Sequence, residues 1–211
     1  PKIVMPVHFA GQPCDMAAIH ALGQQYDFKI IEDASHAIGA SYADVVDRST
    51  ETTTRKIHLI KVGSCVHSDI TVFSFHPVKI VTTGEGGMAM TNDDALANRL
   101  HRLRAHGITN DTELMRPRPE NEIWNYQQIE LGFNYRMTDM QAALGLTQMQ
   151  RLDEFVSRRH KIAERYDSDL RSLAITAPQQ ALGSYSSYHL YPVRINEGES
   201  GRTQRQVYEV L

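Results

Sequence analysis

The first thirty-three residues constrain the fold of this chain most. "KIVMPV" (2–7) is an apolar run rich in β-branched residues, which reads as a buried strand. "GQPCD" (11–15) follows as a turn, with Asp15 placed to cap a helix over "MAAIHALGQQY". "FKIIED" (28–33) is a second apolar run and ends in two carboxylates. Strand, helix and strand within about thirty residues form a βαβ unit, which demands parallel strands and a right-handed crossover. The expected class is therefore α/β with a mostly parallel sheet.

Further elements follow by the same logic. "DITVFSF" (69–75) and "GGMAMT" (86–91) read as strands. A helix is expected from Asn92, with Leu96, Leu100 and Leu103 on one stripe and Gly107 as its stop. Residues 41–61 have a polar centre, "DRSTETTTR", that buries nothing, and read as a surface insertion, with a hairpin as one option. Segment 108–130, with Pro117 and Pro119, reads as a long loop. Residues 137–173 read as one long helical region capped by Thr138 or Asp139, then "YHLYPVRI" (188–195) as a strand and "TQRQVYEVL" as a helix. A domain boundary is expected near residue 155: residues 1–155 belong to one large domain, and 156–211 begin a second that is incomplete.

Bulk properties exclude several classes of function. The 211 residues are 41% hydrophobic and 22% charged, as in an ordinary soluble protein. The net charge of −3, with acids and bases interspersed, gives no reason to expect nucleic acid or an anionic membrane as partner. No apolar run approaches the ~20 residues that span a bilayer. Cys14 and Cys65 lack spacing logic and read as free thiols of a reducing cytoplasm. His101 and His106 are five apart, the wrong spacing for one helix face, and neither HxxxH nor CxxC occurs, so no metal site is expected.

Asp33 ends a strand, and in open α/β sheets ligands bind beyond the carboxyl ends of strands. Ser74 and Lys79 follow the end of another strand, ahead of a loop with Gly84, Gly86 and Gly87. Taken singly, Asp33 reads equally as a cap or surface carboxylate, and Lys79 as a solvated amine. Together they suit pyridoxal phosphate (PLP): a lysine amine can form a Schiff base with an aldehyde, and a carboxylate can keep a pyridine nitrogen protonated.

"IEDASHAIGASY", "SFHPVK…TTGEGGMAMTND", "LRAHGI", "LGFNYRMTDMQAALGLTQMQRLDEF" and "YHLYPV" resemble, in order, successive motifs of the DegT/DnrJ/EryC1/StrS family. The resemblance implies a PLP-dependent sugar aminotransferase with the aspartate-aminotransferase fold (fold type I), here its large domain plus the start of a small α+β domain. By the same resemblance Lys79 takes the cofactor's aldehyde, Asp33 pairs with the pyridine nitrogen, and His36 lies beside the ring and its phenolic oxygen. Ser74 donates to the phosphate, and Asn134 reaches the phosphate in a neighbouring subunit, which implies a homodimer with shared active sites. Dehydrating relatives carry histidine in place of the lysine, so Lys79 implies transamination. The family's earlier phosphate-binding Gly-Thr loop and stacking aromatic are expected upstream of Pro1, and the rest of the small domain beyond Leu211, as if the chain were the middle of a longer enzyme. The Ser-His pair of "EDASHAIGA" and the "WNYQQIELGFNYRMTDMQAALG" run are most similar to the transaminases of pseudaminic-acid synthesis, which aminate a UDP-linked 4-keto-6-deoxy-N-acetylhexosamine with glutamate as donor. Enzymes making perosamine or aminoarabinose precursors, and a non-catalytic fragment, are the alternatives.

Overall fold

The computed structural model describes residues 1–43, 59–117, 119 and 121–211. The chain opens with β1 (Ile3–Val4), α1 (Met16–Tyr26) and β2 (Lys29–Asp33). A hairpin base follows in β3 (Ser41–Ala43) and β4 (Leu59–Lys61), then β5 (Ile70–Ser74), β6 (Gly87–Met90) and α2 (Asp94–Leu103). Next come β7 (Ile108–Thr109), β8 (Gln127–Gln128), α3 (Asp139–Met149) and α4 (Leu152–Asp169). The last part holds β9 (Ile175–Thr176), β10 (Ser184–Tyr185), β11 (Arg194–Ile195), α5 (Glu197–Ser200) and α6 (Gln204–Tyr208).

The βαβ unit forms as its pattern requires. Asp15 caps α1 by accepting from the Ala18 N–H at 3.1 Å, and β1 and β2 pair in parallel, Ile3 opposite Lys29. Among the described residues the central sheet has the order β1-β2-β5-β6, with β2 and β5 parallel and β6 antiparallel to β5. Its core gathers Met16, Ile30, Phe73, Phe75 and Val81 with Tyr42 and Val156. The two carboxylates ending β2 part company, because successive strand residues face opposite ways. Glu32 points inward, fully buried, and accepts from Thr71 Oγ1 at 2.8 Å and from Ser68 Oγ; it also meets His8 Nε2 at 2.7 Å. Asp33 points the other way and stays half-buried.

Four expectations change. The helical region over 137–173 is two helices, broken at Arg151, where φ is −106° and ψ 6°. A tertiary demand explains the break: α3 lays Gly145 against Thr83, while α4 packs Leu152 and Val156 over Gly39. The strand expected over 188–195 survives only as β11, because Arg159 Nη1 donates to the Tyr188 and His189 carbonyls (3.0 and 3.1 Å) and Leu190 N–H donates to Ala10, leaving the earlier part no neighbouring strand. The 108–130 loop carries an antiparallel pair, β7 with β8. The ends of the 41–61 insertion are not surface: Tyr42 pairs with Ile60, both buried, while "DRSTETTTR" lies outside the described residues. Residue 155, where the boundary is expected, lies in α4.

Among the described residues no helix is long and apolar enough to cross a membrane, and no three metal-ligating side chains cluster. Cys14 and Cys65 are both free thiols.

Candidate cofactor site

The site is built on the carboxyl ends of β2 and β5. Asp33 N–H donates to Pro6 O at 2.9 Å and its carbonyl accepts from His8 N–H at 3.0 Å, which fixes the strand end against its neighbour. The Asp33 carboxylate Oδ1 then accepts from the Ser35 N–H at 3.0 Å, a local turn that aims it past the end of the strand. Asp33 sits opposite Val72, and Ser74 lies two residues on, so Asp33 and Ser74 share one face of the sheet. Ser74 is half-buried; its Oγ accepts from the His76 N–H at 3.4 Å. A turn closed by Lys79 N–H to His76 O, 2.9 Å, presents the half-buried Lys79 beside them. Among the described residues no carboxylate comes within ion-pair distance of its ammonium.

His36 completes the group three residues beyond Asp33. Its Nδ1 accepts from the Ala10 N–H at 3.3 Å, so the hydrogen-bond pattern assigns the ring proton to Nε2. Phe9 and His189 flank the ring, with centroids 6.1 and 4.5 Å away. Electrostatics ties these residues together. Burial pushes the Asp33 carboxyl up, but the Ser35 hydrogen bonds, then His36 where it is protonated and the Lys79 charge, more than offset it, and the group stays below the ordinary carboxylate range. Burial and then the Lys79 charge pull His36 down, against the opposing pull of Asp33. The result is an ionised carboxylate, a neutral imidazole and an amine with no ion-pair partner among the described residues, all at one end of a sheet.

Of the residues singled out from the sequence, Asp33, His36, Ser74 and Lys79 converge. Asn134 does not join them within this chain. It lies exposed on the connector before α3, its backbone bridged to Ala105, and no hydrogen bond among the described residues ties it to the cluster. The loop glycines serve the fold: a side chain at Gly87 would meet the Phe73 carbonyl at 2.7 Å, whereas Gly84 has nothing within 4 Å. Sequence reasoning missed His189. Its place in "YHLYPVRI" was absorbed into a strand pattern, and only its proximity to His36 in space marks it.

Comparison with known proteins agrees with this architecture. The model of the DegT/DnrJ/EryC1/StrS aminotransferase family matches residues 1–211. The chain is 38% identical to GDP-perosamine synthase of Caulobacter vibrioides over 212 aligned residues, all of this chain and 49% of that protein. The aminotransferase TlmJ of Streptoalloteichus hindustanus superposes with a TM-score of 0.76 at 30% identity, over 99% of this chain and 50% of its own. PseC of Helicobacter pylori, an aminotransferase involved in the biosynthesis of pseudoaminic acid, gives 0.70 at 28% identity, over 90% of this chain and 44% of its own. The chain thus spans about half the length of the curated relatives it matches.

Proposed function

The chain belongs to the DegT/DnrJ/EryC1/StrS aminotransferase family, whose members work with PLP, and from that premise we propose that it is the cofactor-bearing part of a sugar-nucleotide aminotransferase. The reading rests on one observation: an ionised Asp33, a neutral His36 and the amine of Lys79, without an ion-pair partner among the described residues, meet at one sheet end, with the Ser74 hydroxyl on the same face. Such a set fits PLP, which asks for a free amine, a fixed negative charge, a ring neighbour and a phosphate donor. When bound, PLP supplies an electron sink for the pair released as a proton leaves the amino-bearing carbon. Lys79 Nζ would hold the cofactor at rest and, once displaced by the incoming amine, would be free to move that proton as general base and acid. The Asp33 carboxylate would keep the pyridine nitrogen protonated, its depressed pKa leaving it charged throughout the neutral range. His36 would orient the ring through Nε2–H, and Ser74 Oγ would donate to the phosphate.

The substrate in this proposal is a nucleotide-linked 4-keto-6-deoxy sugar, aminated at C4 with glutamate as donor. The motif pattern favours a pseudaminic-acid-type hexosamine, and the likeness to PseC supports that choice. The 38% identity to GDP-perosamine synthase favours a perosamine-type sugar instead, and a panel of nucleotide-linked keto sugars separates the two. In the same reading residues 1–155 form part of the large domain, 156–211 begin the small one, and the free thiols suit the cytoplasm. A homodimer belongs to it as well. Ile123, Trp124, Leu131, Tyr135 and Met140, all close to Asn134 in the sequence, leave large apolar side chains in solvent, Leu131 at 90% exposure, more than a monomer usually tolerates.

The decisive test is chemical. Protein incubated with PLP turns yellow, and borohydride then fixes a pyridoxyl group on the lysine that holds it. Peptide mass mapping is expected to find that group on Lys79. A colourless protein, or a label confined to other lysines, overturns the reading and leaves a non-catalytic fragment.

A further inference from the structure

Segment 186–190 reaches the Asp33–His36–Lys79 group from late in the chain, and hydrogen bonds hold it there from two sides. Ser187 N–H donates to Gly11 O at 3.0 Å, Leu190 N–H to Ala10 O at 3.2 Å, and Ser187 Oγ to the His36 carbonyl at 3.0 Å. From the other side, Arg159 grips the carbonyls of Tyr188 and His189, and His160 Nε2 meets Ser186 O at 2.7 Å. The backbone is strained where the two segments touch. Ala10 (φ 59°) and Tyr188 (φ 46°) both sit in the left-handed region, which a side chain disfavours. A side chain at Gly11 would come within 2.6 Å of Ser187 Oγ and 2.9 Å of the His189 nitrogen, so the close approach needs glycine there.

What this framework delivers is one side chain, His189, only 9% exposed, its ring 4.5 Å from that of His36. Its Nδ1 is buried without a hydrogen-bond partner among the described residues. Packing alone does not account for that nitrogen, since an apolar ring would fill the space without an unsatisfied polar atom. Burial first, and then the charges of His36, Lys79 and Arg159, drop its pKa to about 4, so the ring is neutral beside the lysine. His36, in turn, has its Nδ1 taken by Ala10 and its Nε2–H without a hydrogen bond among the described residues. Two rings in contact thus hold one spare nitrogen each.

We propose that His189 is a positioning residue of this site, its imidazole set against His36 so that the Nε2–H of His36 is held for the bound cofactor. The inference rests on the reading of Lys79 given above. His189 acts through His36 and does not itself touch the reacting atoms.

The test uses the whole PLP-loaded protein and follows the pH titration of its visible absorption band, the affinity for PLP and the melting temperature. His189→Phe keeps an aromatic ring and removes both nitrogens. It is expected to melt like the wild type, yet to shift the titration midpoint by about one pH unit and to bind PLP about tenfold more weakly. In a His36→Ala background the same exchange is expected to add no further shift, because the two residues act as one unit. His189→Gln, which keeps a polar group, is expected to fall between wild type and His189→Phe. A His189→Phe protein with wild-type midpoint and affinity overturns the proposal, as does a shift that simply adds to that of His36→Ala. A wild-type protein with no visible band overturns the reading of Lys79 and this inference with it, so the two failures are told apart.

Discussion

At the scale of single residues, the structure sends neighbouring groups of the same kind to different places. Glu32 and Asp33 are adjacent and chemically alike, yet one is closed inside a network of His8, Ser68 and Thr71 and the other looks out beside Lys79. Asp33→Asn keeps the oxygen that accepts from Ser35 and removes only the charge. Its effect on stability should stay at about 1 kcal/mol or less, while the rate of amino transfer should fall by about a hundredfold or more. Activity and melting temperature measured on the same variant decide: a stability loss without a rate loss makes Asp33 a turn residue only. The pH dependence has a definite sign. A carboxyl whose folded pKa is depressed contributes stability above its unfolded value, near ~4, and that contribution is lost as pH falls through the folded value.

At the scale of elements, helices dock where a glycine makes room. α4 lies on the turn after β2 because Gly39, at φ 84°, presents no side chain to Val156; a Cβ there would come within 2.8 Å of Val156 Cγ2. That turn follows His36 directly, so the packing of α4 also steadies the site. Gly39→Ala should therefore cost about 1–3 kcal/mol, from overpacking and from the left-handed backbone. Gly198→Ala in α5, where nothing lies within 4 Å, should be neutral or stabilising by up to about 1 kcal/mol. Chemical denaturation of the two variants checks the contrast, and equal effects would refute it.

At the scale of the whole molecule, Asn134 is the residue with a motif but no site in its own chain. Its neighbours Phe133 and Tyr135 stack at 4.7 Å on an exposed surface, an arrangement suited to a partner's face. If Asn134 serves the other subunit's phosphate, a mixed dimer of Asn134→Ala and Lys79→Ala subunits holds one site with both lesions and one with neither. Each heterodimer formed on mixing the two inactive proteins should then regain up to about half the activity of a wild-type dimer, roughly a quarter for an equal mixture at random exchange, because a two-fold interface would place each Asn134 opposite the other chain's Lys79. Subunits that exchange without regaining activity would rule out the shared site.

The sequence by itself determined the parts that depend on local periodicity and turn chemistry. The βαβ opening, the Asp15 cap and the position of Asp33 at the end of one strand and of Lys79 beyond the end of another all follow from spacing along the chain. Five motifs in order were enough to name the family, since their order survives whatever the distances in space. The rest was decided by contacts between distant residues. Nothing local breaks the helical pattern at Arg151; the break exists because two halves dock on different turns. "YHLYPVRI" has the composition of a strand, yet Arg159 and the Ala10–Gly11 turn claim its backbone groups, and a strand needs those groups free for a neighbour. His189 reaches His36 across 153 positions of sequence for the same reason: alternation tells which way a side chain points, and only tertiary packing tells what it meets.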